Sequence, residues 1–315
     1  MSPRTARLAA GLGSTLLALL LFEGGVRLLG LAPATKSLDL GGDHSVYRRS
    51  ENPLLGFELK PGYRDDDPDL ATSYPFTNAH GQRDLERTIA KPSGVRRVLV
   101  LGDSVVEGTY VGELEDTIAG RLQRELGTGW EVLNFGVSGY CTRAEVELLE
   151  TKGLAFSPDF VVVVFVENDF DNFNTQLTDL AVRAPRSPLA RAAFHRSAAF
   201  RAIALRLGWF GLDPDEDPFE RMQQALGEQN VVDGLARLRG LAEREGFRPV
   251  VGIWPHFSSD GILDPHPVGD GSGTLVVEHL AAGFGIPSFR FGPTFRQHLA
   301  SQDGGDARAL YSMKS

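Results

Sequence analysis

Apolar runs alternate with amphipathic stretches from Arg96 to the end of the chain. Phe160–Val166 (FVVVVFV) is apolar at every position, which is typical of a strand buried on both faces of a parallel sheet. The other predicted strands are Val98–Leu101, Glu131–Phe135, Pro249–Trp254 and Ile286–Phe291, and the predicted helices are Glu113–Leu126, Thr142–Lys152 and Thr274–Ala282. Strand alternating with helix predicts a doubly wound, mostly parallel five-stranded sheet in a flavodoxin-like α/β/α sandwich.

Residues 1–35 have a different pattern. Arg4 and Arg7 precede an uncharged apolar run from Leu8 to Phe22, which is typical of an export signal or a membrane anchor. A cleavage site fits poorly, because the small residues near Ala34 lie well past that run. The sequence therefore favours an N-terminal membrane helix with the body of the protein outside the cytoplasm. A secreted protein, cleaved near this point, is the alternative.

Two segments are predicted to decorate the main domain of residues 93–315. Residues 36–92 contain many turn-forming pairs and a weak hydrophobic pattern, which predicts an irregular extension packed on that domain. Residues 171–247 are predicted to hold a mostly helical insertion. The run Asp65-Asp66-Asp67 has no regular ligand spacing around it, so we interpret it as a solvated loop rather than a cation site.

Composition excludes several classes of protein. The chain of 315 residues has a formal net charge of −9 and no run rich in Lys or Arg, which argues against nucleic acid as a partner. Cys141 is the only cysteine, so neither a disulfide framework nor a cysteine-rich zinc site can form within the chain. No metal or cofactor is implied.

Small polar residues follow three of the predicted strands. They are Gly102-Asp103-Ser104, Gly136-Val137-Ser138 and Glu167-Asn168-Asp169. Ligands of open parallel sheets bind beyond the carboxyl ends of the strands, where the strand order reverses. With a strand order of 2-1-3-4-5, the first and third groups flank this crevice, and we expect the chemistry to lie there.

These residues carry a resemblance to a known superfamily. GDSVVEG (102–108), NFGVSGY (134–140) and ENDF (167–170) resemble the three signatures of the SGNH hydrolases, also called GDSL-like esterases. NPLLGFELKPG and NAHGQRD, further upstream, resemble the N-terminal region of a membrane-anchored branch of these enzymes. The resemblance covers Tyr47 to Asp169. It departs from the pattern at Val166, where the third signature has a glycine.

The resemblance implies a role for each motif. Ser104 would be the nucleophile, and an oxyanion hole would be formed by its own N–H, the Gly136 N–H and the Asn168 side chain. Asp103 and Asp169 would fix their turns. The chain would be an ester hydrolase or acyltransferase that needs no cofactor and acts on small-molecule, glycan or lipid esters through an acyl-enzyme.

The histidine base of the superfamily and the acid that orients it are also missing from this sequence. The superfamily takes this base from Asp-x-x-His near the C-terminus, and none of the seven histidines here has an aspartate three positions earlier. Three interpretations stay open: a chain that lacks its C-terminal segment, an inactive binding protein of the same fold, or a substitute base at His256 or His266. Without a base Ser104 stays protonated at neutral pH, so the sequence predicts little esterase activity for the chain as written.

Overall fold

The structure is a computed structural model that describes residues 3–32, 46–64, 76–109, 111–171, 187–207, 209, 218–257 and 268–301. The chain divides into two compact units. One unit combines Met1–Leu40 with Thr175–Glu220, and the other combines Gly41–Asn174 with Arg221–Ser315. The second unit contains the sheet and every predicted site residue that the structure describes.

The sheet unit is built on five parallel strands. The nine described strands are β1 (Tyr47–Arg49), β2 (Phe57–Leu59), β3 (Arg96–Gly102), β4 (Trp130–Gly136), β5 (Phe160–Phe165), β6 (Arg248–Ile253), β7 (His256–Phe257), β8 (Val268–Gly269) and β9 (Ser288–Arg290). The central sheet has the order β4-β3-β5-β6-β9, and all its strands run in parallel. In chain order this is 2-1-3-4-5, so the predicted order is confirmed. The pairs β1–β2 and β7–β8 are small antiparallel hairpins.

Helices cover both faces of this sheet. The α-helices are α1 (Pro3–Leu28), α2 (Ser104–Glu107), α3 (Ile118–Leu126), α4 (Thr142–Thr151), α5 (Pro188–Arg196), α6 (Ala198–Arg206), α7 (Pro218–Leu226), α8 (Asn230–Glu245), α9 (Thr274–Gly283) and α10 (Gly292–Ser301). Short 3₁₀ helices occupy Leu114–Asp116, Gly153–Phe156 and Glu167–Asp171. Helices α4, α8 and α9 pack on one face, and α3 packs on the other. The predicted α/β sandwich is therefore present.

Side chains along β3 alternate between the two faces of the sheet, and both faces are buried, so the strand is apolar at consecutive positions. Val98 and Val100 join the core beneath α3, whereas Leu99 points to the opposite face, towards Leu149 of α4. Side chains of successive strand residues point to opposite faces, so a strand between two helical layers buries both sets. The same holds for β5, where the neighbouring residues Val163 and Val164 point to opposite faces and are both fully buried.

Helix α4 begins at Thr142, as predicted, but its N-terminal cap differs from the sequence pattern. The sequence Thr142-x-x-Glu145 resembles a capping box, but the residue that caps α4 is Cys141, and its side chain makes no capping hydrogen bond. The Thr142 hydroxyl instead donates to Oδ2 of Asp169 at 2.9 Å. The reason is tertiary: both Thr142 and Glu145 are buried beneath the end of β5, so they face the core rather than the helix terminus.

The N-terminal helix α1 is held by its own unit. Glu23 of α1 accepts hydrogen bonds from the Ser197 hydroxyl (2.8 Å) and from the N–H groups of Ala198 and Ala199 (2.9 Å each), at the start of α6. These bonds lower the pKa of Glu23 to about 2. Among the helices that the structure describes, none is long and apolar enough to cross a membrane. The predicted membrane helix is therefore not supported: the last turns of α1 carry charged groups engaged in protein contacts.

The described parts of the N-terminal extension lie on the sheet unit. Tyr140, after β4, donates its hydroxyl hydrogen to the Phe57 carbonyl of β2. Fully buried Arg97 of β3 donates to the carbonyls of Thr88 and Ile89 at 2.6 and 2.7 Å. Polar contacts of this kind fix an irregular segment that has little apolar pattern of its own. The Asp65-Asp66-Asp67 run lies outside the described residues.

Candidate active site

Ser104 lies where β3 turns directly into the short helix α2. It is the first residue of that helix and is partly exposed at the carboxyl edge of the sheet. Gly102 makes this turn possible, because a Cβ atom there would lie 2.3 Å from Cγ2 of Val106. The backbone N–H of Ser104 makes no hydrogen bond with any described residue. As the first N–H of a helix, it is available to an anionic oxygen.

Asp103 fixes the serine turn and joins it to the next strand. Its Oδ1 accepts the Val105 N–H at 2.9 Å, and its Oδ2 accepts the Asn168 side-chain amide at 3.1 Å. Burial raises the pKa of Asp103, while the hydrogen bonds from Val105, Asn168 and the Ser104 hydroxyl oppose the rise. The residue is a structural partner of Ser104 with the turn-fixing role expected of it.

Asn168 comes from β5, the strand beside β3. It lies in the 3₁₀ helix after that strand and is exposed, so its side chain is accessible from the crevice. A side-chain amide carries two N–H hydrogens, and the bond to Asp103 uses one of them. The second can donate to a substrate oxygen. The structure thus places Asn168 beside the turn that carries Ser104.

Gly136 has a different place from the one predicted. It is buried, and its N–H donates to Oδ1 of Asn134 at 2.9 Å, so this N–H is already engaged within the protein. A Cβ atom at Gly136 would lie 2.1 Å from the backbone nitrogen of Glu107. The Asn134 amide meanwhile donates to the Val106 carbonyl at 3.0 Å. Gly136 is therefore needed for close packing of β4 against α2, and in this arrangement it is not free to bind substrate.

Gly139 is the residue of this motif with an available N–H. It has φ of 83° in the turn after β4, a left-handed conformation that favours glycine. It is partly exposed, and its N–H makes no hydrogen bond with a described residue. The sequence did show a second glycine in NFGVSGY, but the prediction took Gly136 as the donor because it directly follows the predicted strand. The structure makes Gly139 the better candidate for an oxyanion donor.

Two further carboxyl groups are buried beneath the site. Three of their oxygens have no hydrogen-bond partner among the described residues: both carboxyl oxygens of Glu145, and Oδ1 of Asp169. Burial, and then the neighbouring Asp103 carboxyl, raise the pKa of Asp169 well above its usual range. Burial, then Asp169 and Asp103, do the same for the pKa of Glu145. Burial also raises the pKa of Cys141 to about 12, so that thiol is a packing group.

The two candidate bases have different outcomes. His256 lies in β7, just after β6, and is mostly exposed; its Nδ1 is 3.7 Å from Oε2 of Glu167. Ser104 has no histidine contact within the described part of the chain. His266 lies outside the described residues. The structure therefore brings Asn168 to the turn that carries Ser104, and it places His256 against Glu167, the residue directly before Asn168.

Residues of the N-terminal extension support the site, and the motifs gave no sign of them. Arg83, almost fully buried, donates to the carbonyls of Glu107 (3.2 Å), Gly108, Val111 and Gly112 (3.3 Å), all at the end of α2 or just beyond it. An apolar or turn-forming pattern cannot reveal such a contact. The only available signal was that NAHGQRD is part of the resemblance.

The chain is similar to several solved structures at low sequence identity. No family model matches the sequence, and no curated protein matches it. Among solved structures, the chain is similar to AlinE4, an SGNH-hydrolase family esterase, with 15% identity, 71% of this chain and 87% of that chain covered, and a TM-score of 0.37. A carbohydrate acetylesterase family member from Sinorhizobium meliloti is 17% identical, with 63% of this chain and 84% of that chain covered and a TM-score of 0.34. A GDSL-like lipase family protein from Parabacteroides merdae is 13% identical, with 72% of this chain and 89% of that chain covered and a TM-score of 0.38.

The names of these structures agree with the superfamily that the sequence motifs resemble. SGNH-hydrolase and GDSL-like esterases are present among the solved structures that the chain matches. At these TM-scores the likeness by itself assigns neither a fold nor an activity. The architecture of this chain follows from its own strand order.

Proposed function

We propose that this chain is a serine ester hydrolase, or a related acyltransferase, of the SGNH type, with Ser104 as its nucleophile. The observation that carries the proposal is the Asp103–Asn168 hydrogen bond, which joins the residue before Ser104 to the side chain after the neighbouring strand. Residues of two separate motifs thereby form one site at the carboxyl edge of a parallel sheet, where ligands bind in this class of fold.

The proposed reaction has two halves. Ser104 Oγ attacks the ester carbonyl while a general base accepts its proton, and the leaving alcohol departs with that proton to leave an acyl-enzyme. Water, or a sugar hydroxyl in a transferase, then attacks the acyl group and restores Ser104. The Ser104 N–H, the second Asn168 N–H and the Gly139 N–H are the proposed donors to the oxyanion. In comparable enzymes one such donor stabilises the transition state by about 3–4 kcal/mol.

Substrate and location stay predictions. The resemblance implies esters of acylated glycans or lipids, and the basic, apolar N-terminal sequence predicts that the body of the protein lies outside the cytoplasm. A panel of acetylated oligosaccharides and short-chain lipid esters would separate the substrate classes. Fractionation of cells that express the full chain would test the location.

The deciding experiment combines turnover with chemical labelling. The full chain is assayed on p-nitrophenyl acetate and treated with a fluorophosphonate, and the modified residue is located by mass spectrometry. With His256 or His266 as the base, we expect labelling at Ser104 and turnover that falls to background in Ser104→Ala, since loss of a triad member costs about 10⁴-fold or more. Ser93→Ala, at an exposed serine of the same unit, is the control. His256→Ala and His266→Ala then test each candidate base.

A second candidate is a binding protein that uses the same crevice without turnover. It is favoured by the observation that Ser104 contacts no histidine among the described residues. In that case the wild type and Ser104→Ala hydrolyse esters equally slowly, neither reacts with the phosphonate, and both bind the same acylated glycan with equal affinity. That result would reject the hydrolase.

A further inference from the structure

Glu107, the last residue of α2, connects three segments around the nucleophile. It lies three positions after Ser104 and is almost fully buried. Its carboxyl group accepts the Ser138 N–H in the loop after β4. It also accepts the hydroxyl hydrogen of Tyr47, from β1 of the N-terminal extension, at 3.2 and 3.3 Å from its two oxygens. A buried carboxyl group needs such partners, because its desolvation is otherwise costly.

The Ser138 bond matters because of its position in the chain. Ser138 immediately precedes Gly139, whose N–H is the available donor of this loop. A second bond, between Thr109 Oγ1 and Ser138 Oγ at 2.8 Å, ties the same residue to the segment after α2. These two bonds thus tie the residue before Gly139 to the helix that begins at Ser104 and to the segment after it.

We propose that Glu107 and Tyr47 are positioning residues, which hold the Gly139 loop in register with Ser104 and make the N-terminal extension part of the active site. The inference rests on the proposed function for its consequence in catalysis, but its structural content stands alone. Neither side chain is proposed to touch the substrate. Misplacement of a reacting or stabilising group by about 1 Å costs on the order of 10²-fold in rate.

Two substitutions test the pair, and a third controls for lost stability. Tyr47→Phe removes one hydroxyl, and Glu107→Gln keeps the shape but weakens acceptance from both donors. Glu58→Gln is the control, because Glu58 is also a buried carboxylate of the extension but pairs with Arg48 at 3.0 Å and Lys152 at 3.1 Å. Thermal unfolding midpoints are measured for all three variants.

The first measurement is hydrogen–deuterium exchange of the peptide that covers residues 136–142 in the full chain. We expect faster exchange in Glu107→Gln and Tyr47→Phe, and no change in Glu58→Gln or in Ser104→Ala. This measurement does not depend on enzyme activity. Unchanged exchange in both Tyr47→Phe and Glu107→Gln overturns the inference, whatever the chain does to esters.

The second measurement is the rate of fluorophosphonate labelling at Ser104 as a function of reagent concentration. We expect the maximal rate to fall about 10–100-fold in Glu107→Gln and about tenfold in Tyr47→Phe, with the half-saturating concentration unchanged. An equal fall in Glu58→Gln would show general destabilisation and overturn the inference. If the wild type does not label, the proposed function fails, and exchange alone decides on Glu107 and Tyr47.

Discussion

At the scale of single residues, the site depends on two glycines that leave no room for a side chain. Gly102 faces the Val106 side chain, and Gly136 faces the backbone of Glu107. The second contact is the less forgiving one, because a backbone atom cannot move away as the end of a flexible side chain can. The sequence predicted that both glycines matter, but for Gly136 it predicted a donor where the structure has a packing contact.

Substitution of Gly136 tests this packing role. We expect Gly136→Ala to lower the free energy of unfolding by about 1–3 kcal/mol, because the added methyl group forces β4 and α2 apart. Gly129→Ala is the matched control, since nothing lies within 4 Å of a Cβ atom placed there. Urea unfolding of both variants measures the difference. Equal stability of the two variants would show that the contact at Gly136 relaxes freely.

At the scale of elements, the sequence predicted what depends on local pattern. The five sheet strands, α4 and α9 lie within a few residues of their predicted bounds, because each has its own apolar period and a terminating glycine or turn. Helix α3 ends at Leu126 as predicted but begins at Ile118 rather than Glu113, because a separate 3₁₀ helix occupies Leu114–Asp116. Contacts between distant segments could not be predicted this way. Arg83 donates hydrogen bonds to carbonyls about 25 residues further along the chain. The Thr142 hydroxyl donates to Asp169 instead of capping its own helix.

The contact between the extension and α2 leads to a prediction about Arg83. In Arg83→Met the carbonyls of Glu107, Gly108, Val111 and Gly112 lose their common donor, and we expect the free energy of unfolding to fall by about 2–4 kcal/mol. Arg48→Met is the control, because Arg48 is also in the extension but is 45% exposed in its pair with Glu58. Urea unfolding of both variants provides the comparison, and a loss in Arg83→Met no larger than that in Arg48→Met would contradict this role.

At the scale of the whole molecule, the parallel sheet gathers polar groups from distant parts of the chain at one edge. The same arrangement places Asp103, Glu145 and Asp169 together in the interior, where burial disfavours their charged forms. Sequence alone showed that Asp103 and Asp169 follow strands. It could not show that Glu145 faces them, because its place in a helical pattern is compatible with an exposed cap.

This buried group predicts how stability depends on pH. A carboxyl group whose pKa is higher in the folded than in the unfolded protein stabilises the fold fully only below its unfolded pKa. That contribution is lost as the pH rises through the folded pKa, so we expect the free energy of unfolding to decline towards alkaline pH. Glu145→Gln, neutral at every pH, should flatten the decline when urea unfolding is measured across a pH series.

Glu147→Gln provides the comparison for this series. Glu147 belongs to the same helix and pairs with Arg143 at 3.1 Å near the surface. Its substitution removes a charge without entering the buried group, so the slope of stability against pH should stay close to that of the wild type. If Glu145→Gln and the wild type have the same slope, Glu145 is not protonated in the folded protein at neutral pH.

The bonds of Arg83 also decide where the protein can be shortened. A protein engineer who trims the chain to the sheet would cut near Arg96, where the first central strand begins. That cut removes Tyr47 and Arg83, which donate the hydrogen bonds that hold the end of α2, the helix that begins at Ser104. A minimal version of this protein therefore has to start upstream of Tyr47. An affinity tag or fusion partner belongs at the N-terminus of this shortened chain rather than between the extension and the sheet.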